Sequence, residues 1–431
     1  MKVLKVLLFL VFGFSIFSSA QEKFKDPLHL TLSQGITLAS RENAQIFAAN
    51  ERVRQAINNI SVNRSALLPQ VTGTFGGKRQ TEDLRASGIK LSGDPHIGPF
   101  NSFDTRGRLT MDIFDPEAIE RLHSAKAGEK LSQVELRKIR QDILSLAGVL
   151  FLEAQRASQS VAFNEVNLKE AQHQYELAQL RLKQGTGSTA QLDKSKMDLA
   201  QAEYLFKVFQ VHAEQTRLDL ASALRIPLDQ EIVFDDDLAW INKELQQSSV
   251  PVDVALAQAQ VDESKTGVAQ ARAGFWPKIT FSGDYGRSGE STSAASNTYA
   301  LGAAVSLPIW EGGLRQAELA SAKSKAREDE ILLDDAKNQN QVKIKEAQGN
   351  LEQAKDFLTF KSKQIDYAQH QWLLANNRLQ SGLGSQLEVD EASSTKAQAA
   401  DDKNEAQALY WTAKINLAHA MGNIEKMFDI K

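Results

Sequence analysis

Residues that could do chemistry are sparse in this 431-residue chain, and their spacing argues against catalysis. There is no cysteine, which removes disulfides, thiolate metal sites, haem attachment, cysteine nucleophiles and a lipid-modified amino-terminal cysteine together. The seven histidines show no ligand-like spacing. Two of them, His173 and His370, fall at matching places in two similar segments, where packing is expected. The string Gly185-Thr186-Gly187-Ser188-Thr189-Ala190 has the glycines of a phosphate cradle. Such cradles follow a strand and open a helix, however, and this one follows a helical pattern. No nucleophile stands with its base, and no carboxylate pair lies in a cleft-forming context, so neither an enzyme nor a cofactor is expected.

The elements that would position these residues are written in larger patterns. Hydrophobic residues make up 42% and charged residues 24%, the balance of a folded chain. Mean hydropathy of −0.35 argues against a bundle of membrane helices. The formal charge of −4 leaves no basic field to hold nucleic acid. At the amino terminus Lys2 and Lys5 precede an apolar run from Val6 to Phe17, and Ser18-Ser19-Ala20 closes it. That is the pattern of a signal peptide, residues 1–20, cleaved after Ala20. The nine prolines fall at 27, 69, 95, 99, 116, 227, 251, 277 and 308. They leave 117–226 and 309–431 free of the residue that breaks helices.

A shift of 197 residues aligns those two stretches, and 11 of 21 positions are identical between 168–188 and 365–385. Chance would give about one or two, so a tandem repeat is expected. The first repeat, 21–225, has a helix at about 33–65, strands at about 70–81 and 105–114, and a helical hairpin over 116–224. A linker follows at 226–250. The second repeat, 251–422, has a helix at about 252–273, strands at about 278–287 and 298–309, and a hairpin over 312–421, with a tail at 423–431. A heptad runs through the second long helix: Ile344, Ala347, Leu351, Ala354, Leu358, Lys361, Ile365, Ala368, Trp372, Ala375 and Leu379. Subtracting 197 gives Ala147, Leu150, Ala154, Ala157, Val161, Asn164, Leu168, Ala171, Tyr175, Ala178 and Leu182. Each seam has one polar member, at the same place. A sustained 3.5-residue period means coiled-coil packing, and a helix from Pro116 to about Gln184 is roughly 100 Å long.

The segments between the helices alternate with period 2. Ile279, Phe281, Gly283 and Tyr285 share one face, and Thr280, Ser282, Asp284 and Gly286 share the other. Each run is about 9–11 residues, the length of a membrane strand. Polar links at Glu82–Asp104 and Ser288–Asn297 suit exposed loops, and Trp276, Tyr285, Tyr299 and Trp310 suit membrane interfaces. Four strands cannot close a membrane barrel, because known ones begin at about eight. Copies of the chain must complete it.

With these patterns in order, the chain resembles the TolC-like outer membrane factor (outer membrane efflux protein) family. The likeness rests on Leu30-Thr31-Leu32-Ser33-Gln34-Gly35-Ile36, on Phe275-Trp276-Pro277-Lys278-Ile279, on Val305-Ser306-Leu307-Pro308-Ile309-Trp310-Glu311-Gly312-Gly313-Leu314, and on the two glycine turns. Gly35 stands where the family commonly has alanine, and Asp115-Pro116 replaces a Gly-Gly pair. The resemblance implies an α+β, mostly α fold: coiled-coil hairpins forming a periplasmic α-barrel, and four transmembrane strands per chain in a 12-stranded β-barrel shared by a homotrimer in outer-membrane lipid. It implies a passive exit duct that docks to a periplasmic adaptor protein and an inner-membrane transporter, in tripartite efflux or type I secretion. The adaptor-docking tips match Gly185, Thr186, Gly187 and Ser188 in one hairpin, and Gly382, Leu383, Gly384 and Ser385 in the other. The family's paired aspartates at the tunnel constriction match Glu388 and Glu391, whereas the first hairpin has Gln191 and Lys194 there. A periplasmic coiled-coil adaptor, with one hairpin between non-helical domains, and a soluble helical scaffold are the competing readings. The transported substrate is not legible in the sequence.

Overall fold

A computed structural model describes residues 27–83, 96–235 and 250–430. The signal-peptide segment, most of the link at 84–95 and the part of the linker at 236–249 lie outside the described residues. The rest divides into two compact units. One comprises the described part of Met1–Phe47, Ile139–Pro251 and Asn340–Lys431, and the other Ala48–Lys138 and Val252–Gln339.

The second unit is built on an antiparallel sheet of β2 (Gln70–Asp83), β3 (His96–Phe114), β5 (Lys278–Gly289) and β6 (Ser296–Ser306), in that spatial order. The register places Val71 opposite Leu109, Leu109 opposite Gly283 and Gly283 opposite Leu301, so odd-numbered residues share a face. That face is apolar and exposed: Val71, Phe75, Tyr285, Tyr299, Leu301 and Val305 are each more than 60% accessible. The even face carries charge that is paired. Arg106 bonds Asp104, Asp284 and the Thr298 hydroxyl, while Lys278 lies 2.8 Å from Asp112. A sheet with bare apolar side chains on one face and paired charges on the other suits a lipid boundary. Among the described residues no helix is long and apolar enough to cross a membrane.

Two strand bounds differ by more than two residues from the sequence reading. β3 begins at His96 rather than about 105, because its ladder with β2 continues through Asn101 and Phe100 and, after a shift of register, to Ile97 and His96. Gly98-Pro99 sits at that irregularity, hiding the alternation from the sequence. β6 ends at Ser306 rather than 309, since Pro308 has no N–H to give. The unit also holds α5 (Val252–Ala273), which packs Ala257 and Val261 on Leu333. Glu263 on the same helix titrates above the ordinary glutamate range, first through burial and then through the nearby Glu135 and Asp329 carboxylates.

The first unit contains β1 (Leu28–Leu30), α1 (Leu32–Glu42), most of α3 (Pro116–Lys183), α4 (Thr189–Leu224), β4 (Ile232–Phe234), the later part of α6 (Leu314–Gln380), α7 (Gln386–Ala420) and α8 (Ile424–Met427). Every member of both heptad seams is buried or half-buried. The expected single helix at 33–65 is instead two, α1 and α2 (Ala44–Ser65). Asn43 between them is extended; its side chain accepts from the Gln45 N–H and donates to the Ala223 carbonyl. Two small elements were invisible to periodicity. β1 pairs in parallel with β4, Leu28 opposite Ile232, and Phe234 meets Phe151 edge-on at 5.2 Å. The tail folds as α8, whose Ile424 and Met427 are buried.

Candidate docking tips and constriction

Both tips are built by the same backbone device. At the first, Gly185 takes φ +73°, and the Thr186 and Gly187 N–H groups both donate to the Arg181 carbonyl, at 2.9 and 3.0 Å. At the second, Gly382 takes φ +72°, and the Leu383 and Gly384 N–H groups donate to the Arg378 carbonyl, at 2.8 and 3.0 Å. These bonds satisfy carbonyls that the end of a long helix leaves open. The second glycine of each turn is needed for closeness: a Cβ at Gly187 would lie 3.0 Å from the Leu182 nitrogen, and one at Gly384 3.0 Å from the Leu379 nitrogen. Ser188 and Ser385 then start the returning helices as N-caps, each accepting from the N–H three residues on.

The tips differ in what they present. Thr186 is polar, whereas Leu383 and Leu387 stand 75% and 61% exposed. At the first, Gln191 folds back so that its side chain accepts from the Ser188 N–H, closing a capping box. At the second, Glu388 occupies the same position but does not close back; its carboxylate is 3.9 Å from Arg378. Glu391, one turn along the same face, is exposed. A third acid was not singled out from sequence: Asp390 accepts from Gln174 of α3 at 3.1 Å and from Gln386 at 2.8 Å. His173 and His370 are exposed rather than packed, because each falls just outside its heptad seam. Among the described residues no group of histidines and carboxylates could hold a metal ion.

Further along the hairpins, consecutive aspartates of α7 are gripped from opposite sides. Asp401 takes both arms of Arg156 from α3, at 2.6 and 2.9 Å. Asp402 takes Lys361 from α6 at 2.7 Å. Burial pushes the Asp402 carboxyl up, but bonds from Lys361 and Gln398 outweigh it and hold it below the ordinary range. Lys361 is the polar member of its seam, and its ammonium also lies over the rings of Phe357 and Phe360. The corresponding Asn164 is satisfied on its own helix, donating to the Ser160 carbonyl at 2.8 Å.

The family model described as outer membrane efflux protein matches residues 35–224 and 240–423. The chain belongs to the outer membrane efflux protein family. A pyoverdine export outer membrane protein of Pseudomonas putida is 23% identical over 410 residues, covering 91% of this chain and 85% of the relative. The fold is that of solved channels. The Campylobacter jejuni CmeC outer membrane channel superposes with a TM-score of 0.76 at 17% identity, over 91% of this chain and 85% of its own. The outer membrane protein VceC of Vibrio cholerae gives 0.73 at 17% identity, over 91% and 96%. This outer membrane efflux protein is therefore a TolC-like efflux channel located in the outer membrane with a large periplasmic portion. The exposed apolar face of its sheet is the part that suits lipid.

Proposed function

We propose that three copies of this chain form a passive exit duct with a shared 12-stranded barrel and a helical tunnel, whose tips dock to a periplasmic adaptor working with an inner-membrane transporter. The observation that carries this reading is the four-stranded sheet whose apolar face is bare and whose outer strands, β2 and β6, have edges that no other strand among the described residues pairs with. An exposed apolar sheet with two open edges is an aggregation hazard unless other strands pair with it, and three copies supply about twelve strands, enough for an open lumen.

The helices of the first unit support the same assembly. Gln174 and Arg156 tie α3 to α7 within the chain, leaving α4 and α6 as the flanks. Each flank bears an apolar stripe at heptad spacing: Met197, Tyr204, Val208 and Val211 on α4, and Phe360, Tyr367 and Leu374 on α6. Stripes of this kind bury one another between neighbouring copies. In that ring Glu388 and Glu391 of three copies bring six carboxylates to the tunnel mouth, a cation-attracting constriction. The repeat read from the sequence, 21–225 and 251–422, is the duplication that gives each copy two hairpins. No bond is made or broken in the duct, and the choice of cargo rests with the inner-membrane transporter.

Extraction from outer-membrane fractions tests the assembly. Heat-modifiable trimers that require detergent are expected, and a mature chain that stays soluble and monomeric without detergent refutes the reading. Because the chain has no cysteine, Thr186→Cys and Leu383→Cys each give a single crosslinking handle, expected to capture an adaptor hairpin.

A further inference from the structure

The exposed face of the sheet is graded along its length. Tyr285 of β5 and Tyr299 of β6 stand opposite one another, both bare. Toward the helices the same face is aliphatic, with Val71, Leu301 and Val305 exposed. Toward the loops it turns basic: Arg287 follows two residues after Tyr285 in β5, and Arg79 four after Phe75 in β2, both exposed. The ladder sets Arg287 between Thr105 and Asn297, and Arg79 opposite Asn101, all on the odd face. Aliphatic, then aromatic, then cationic is the order in which a bilayer leaflet offers acyl chains, interface and phosphates.

The two ends of the sheet differ in this respect. At the helix end Lys278 is turned to the even face and committed to Asp112 and Asp115, at 2.8 and 2.9 Å, and Asp115 is buried. At the loop end Arg106 takes both Asp104 and Asp284 on the even face, which leaves neither acid for the arginines outside. Glu82, Asp83 and Glu290 come after those arginines in the chain, nearer the loops. Arg287 gives one N–H to the Ala295 carbonyl at 2.8 Å, which anchors the side chain on its own hairpin. The rest of its planar fork suits phosphate oxygens.

We infer that Arg79 and Arg287 form a lipid-phosphate site on the outside of the barrel, and that its occupant is a doubly phosphorylated glycolipid of the lipid A type. This rests on the reading of the sheet as a barrel wall. The helices attach at one end of the strands and the hairpin loops at the other, and the large helical portion is periplasmic, so the arginines meet the outer leaflet. Arg79 lies two strands across from Arg287 and four residues further toward the loops, roughly 16 Å away by strand spacings. With both side chains standing off the sheet, they meet separate phosphates rather than share one. A glycolipid with a phosphate on each sugar supplies two, and its acyl chains then run down past Tyr285 and Tyr299 onto the aliphatic band.

The test offers the full-length protein, delipidated in detergent, diphosphoryl lipid A, monophosphoryl lipid A or the fully dephosphorylated form, and reads bound lipid by native mass spectrometry. Diphosphoryl lipid A should bind about 25-fold more tightly than the dephosphorylated form, about 5-fold for each arginine. Arg79→Gln or Arg287→Gln should each lower its binding about 5-fold, and the double substitution should bring the three lipids close to parity. Should Arg287→Gln fail to insert, Arg79→Gln alone decides, and unchanged binding overturns the inference. Equal binding of the three lipids by the unsubstituted protein overturns it as well. So does phosphatidylglycerol, with its single phosphate, displacing diphosphoryl lipid A at equal concentration. In all these outcomes the protein still requires detergent, and only the lipid site falls. A protein that stays soluble without detergent overturns the reading of the sheet as a barrel wall, and this inference with it.

Discussion

At their tips the two hairpins match to within a degree in φ, +73° at Gly185 and +72° at Gly382, and in the carbonyl that collects both turn amides. Along their seams they part company. Asn164 spends its donor on its own helix, at the Ser160 carbonyl, while Lys361 at the matching place crosses from α6 to Asp402 of α7. Backbone geometry dictated by glycine and serine is the same at both tips, and the polar seam positions do different work. The first hairpin carries its polar residue inertly. The second uses its own to bind one helix to the next, beside the Arg156–Asp401 link that holds α7 to α3.

The largest effects should come from breaking that difference. Asp402→Ala leaves the Lys361 ammonium in a site where its side chain is 16% exposed, and loss of one partner of such a pair costs about 3 kcal/mol. Asn164→Leu removes a local bond and its donor together, and is expected to stay within about 1 kcal/mol. Thermal unfolding of the assembled protein should separate the two clearly, and equal shifts would show the seams to be equivalent. Acid sharpens the contrast. Since the folded Asp402 titrates below its ordinary value of 3.8, its contribution is complete above that value and fades as pH falls through the lower folded one. The melting temperature of the Asp402→Ala protein should therefore fall less on acidification than that of the unsubstituted one.

Next come the features the hairpins share. Alanine at Gly187 or at Gly384 presses a Cβ to about 3.0 Å from backbone atoms of the preceding helix, and each turn must open at a cost of about 1–3 kcal/mol. The two substitutions should lower stability equally, and each should weaken adaptor capture by cysteine crosslinking. A marked inequality would mean that one tip is held by something beyond its own backbone.

Much of this architecture was legible because it is periodic. The heptads placed Lys361 and Asn164 at one level of two helices, and glycine spacing placed both turns. The partners of those polar residues were not legible. Asp401 and Asp402 lie about forty residues from Lys361 and far more from Arg156, and nothing local distinguishes them from a solvated acidic face. Asn43 looked like one more polar helix residue until its side chain was seen to hold the Ala223 carbonyl. The β1–β4 pair is too short for alternation to register: three residues per strand, brought together across more than two hundred. Asp115 was readable as a departure from a glycine pair, but its burial and its Lys278 partner were not, since they require knowing that β5 lies beside β3.

The smallest change in stability, and the most direct functional contrast, concerns the position three residues past each cap. Gln191 is consumed by its capping box, whereas Glu388 leaves its cap and keeps its charge available beside the exposed Glu391. Glu388→Gln/Glu391→Gln should leave folding within about 0.5 kcal/mol, as exposed substitutions do. In single-channel recordings the same change should weaken block by divalent cations about 3- to 10-fold, because charges ringed about a narrow axis act together on one ion. The reciprocal variant, Gln191→Glu/Lys194→Glu, places the same pair on the first tip. If the second tip alone lines the axis, the added carboxylates create no new block. If they do create one, both tips face the lumen, and the asymmetry between the hairpins is one of charge rather than of position. Unchanged block in the Glu388→Gln/Glu391→Gln channel would remove these two residues from the proposed constriction and leave Asp390, already bonded to Gln174, as the acid to test in their place.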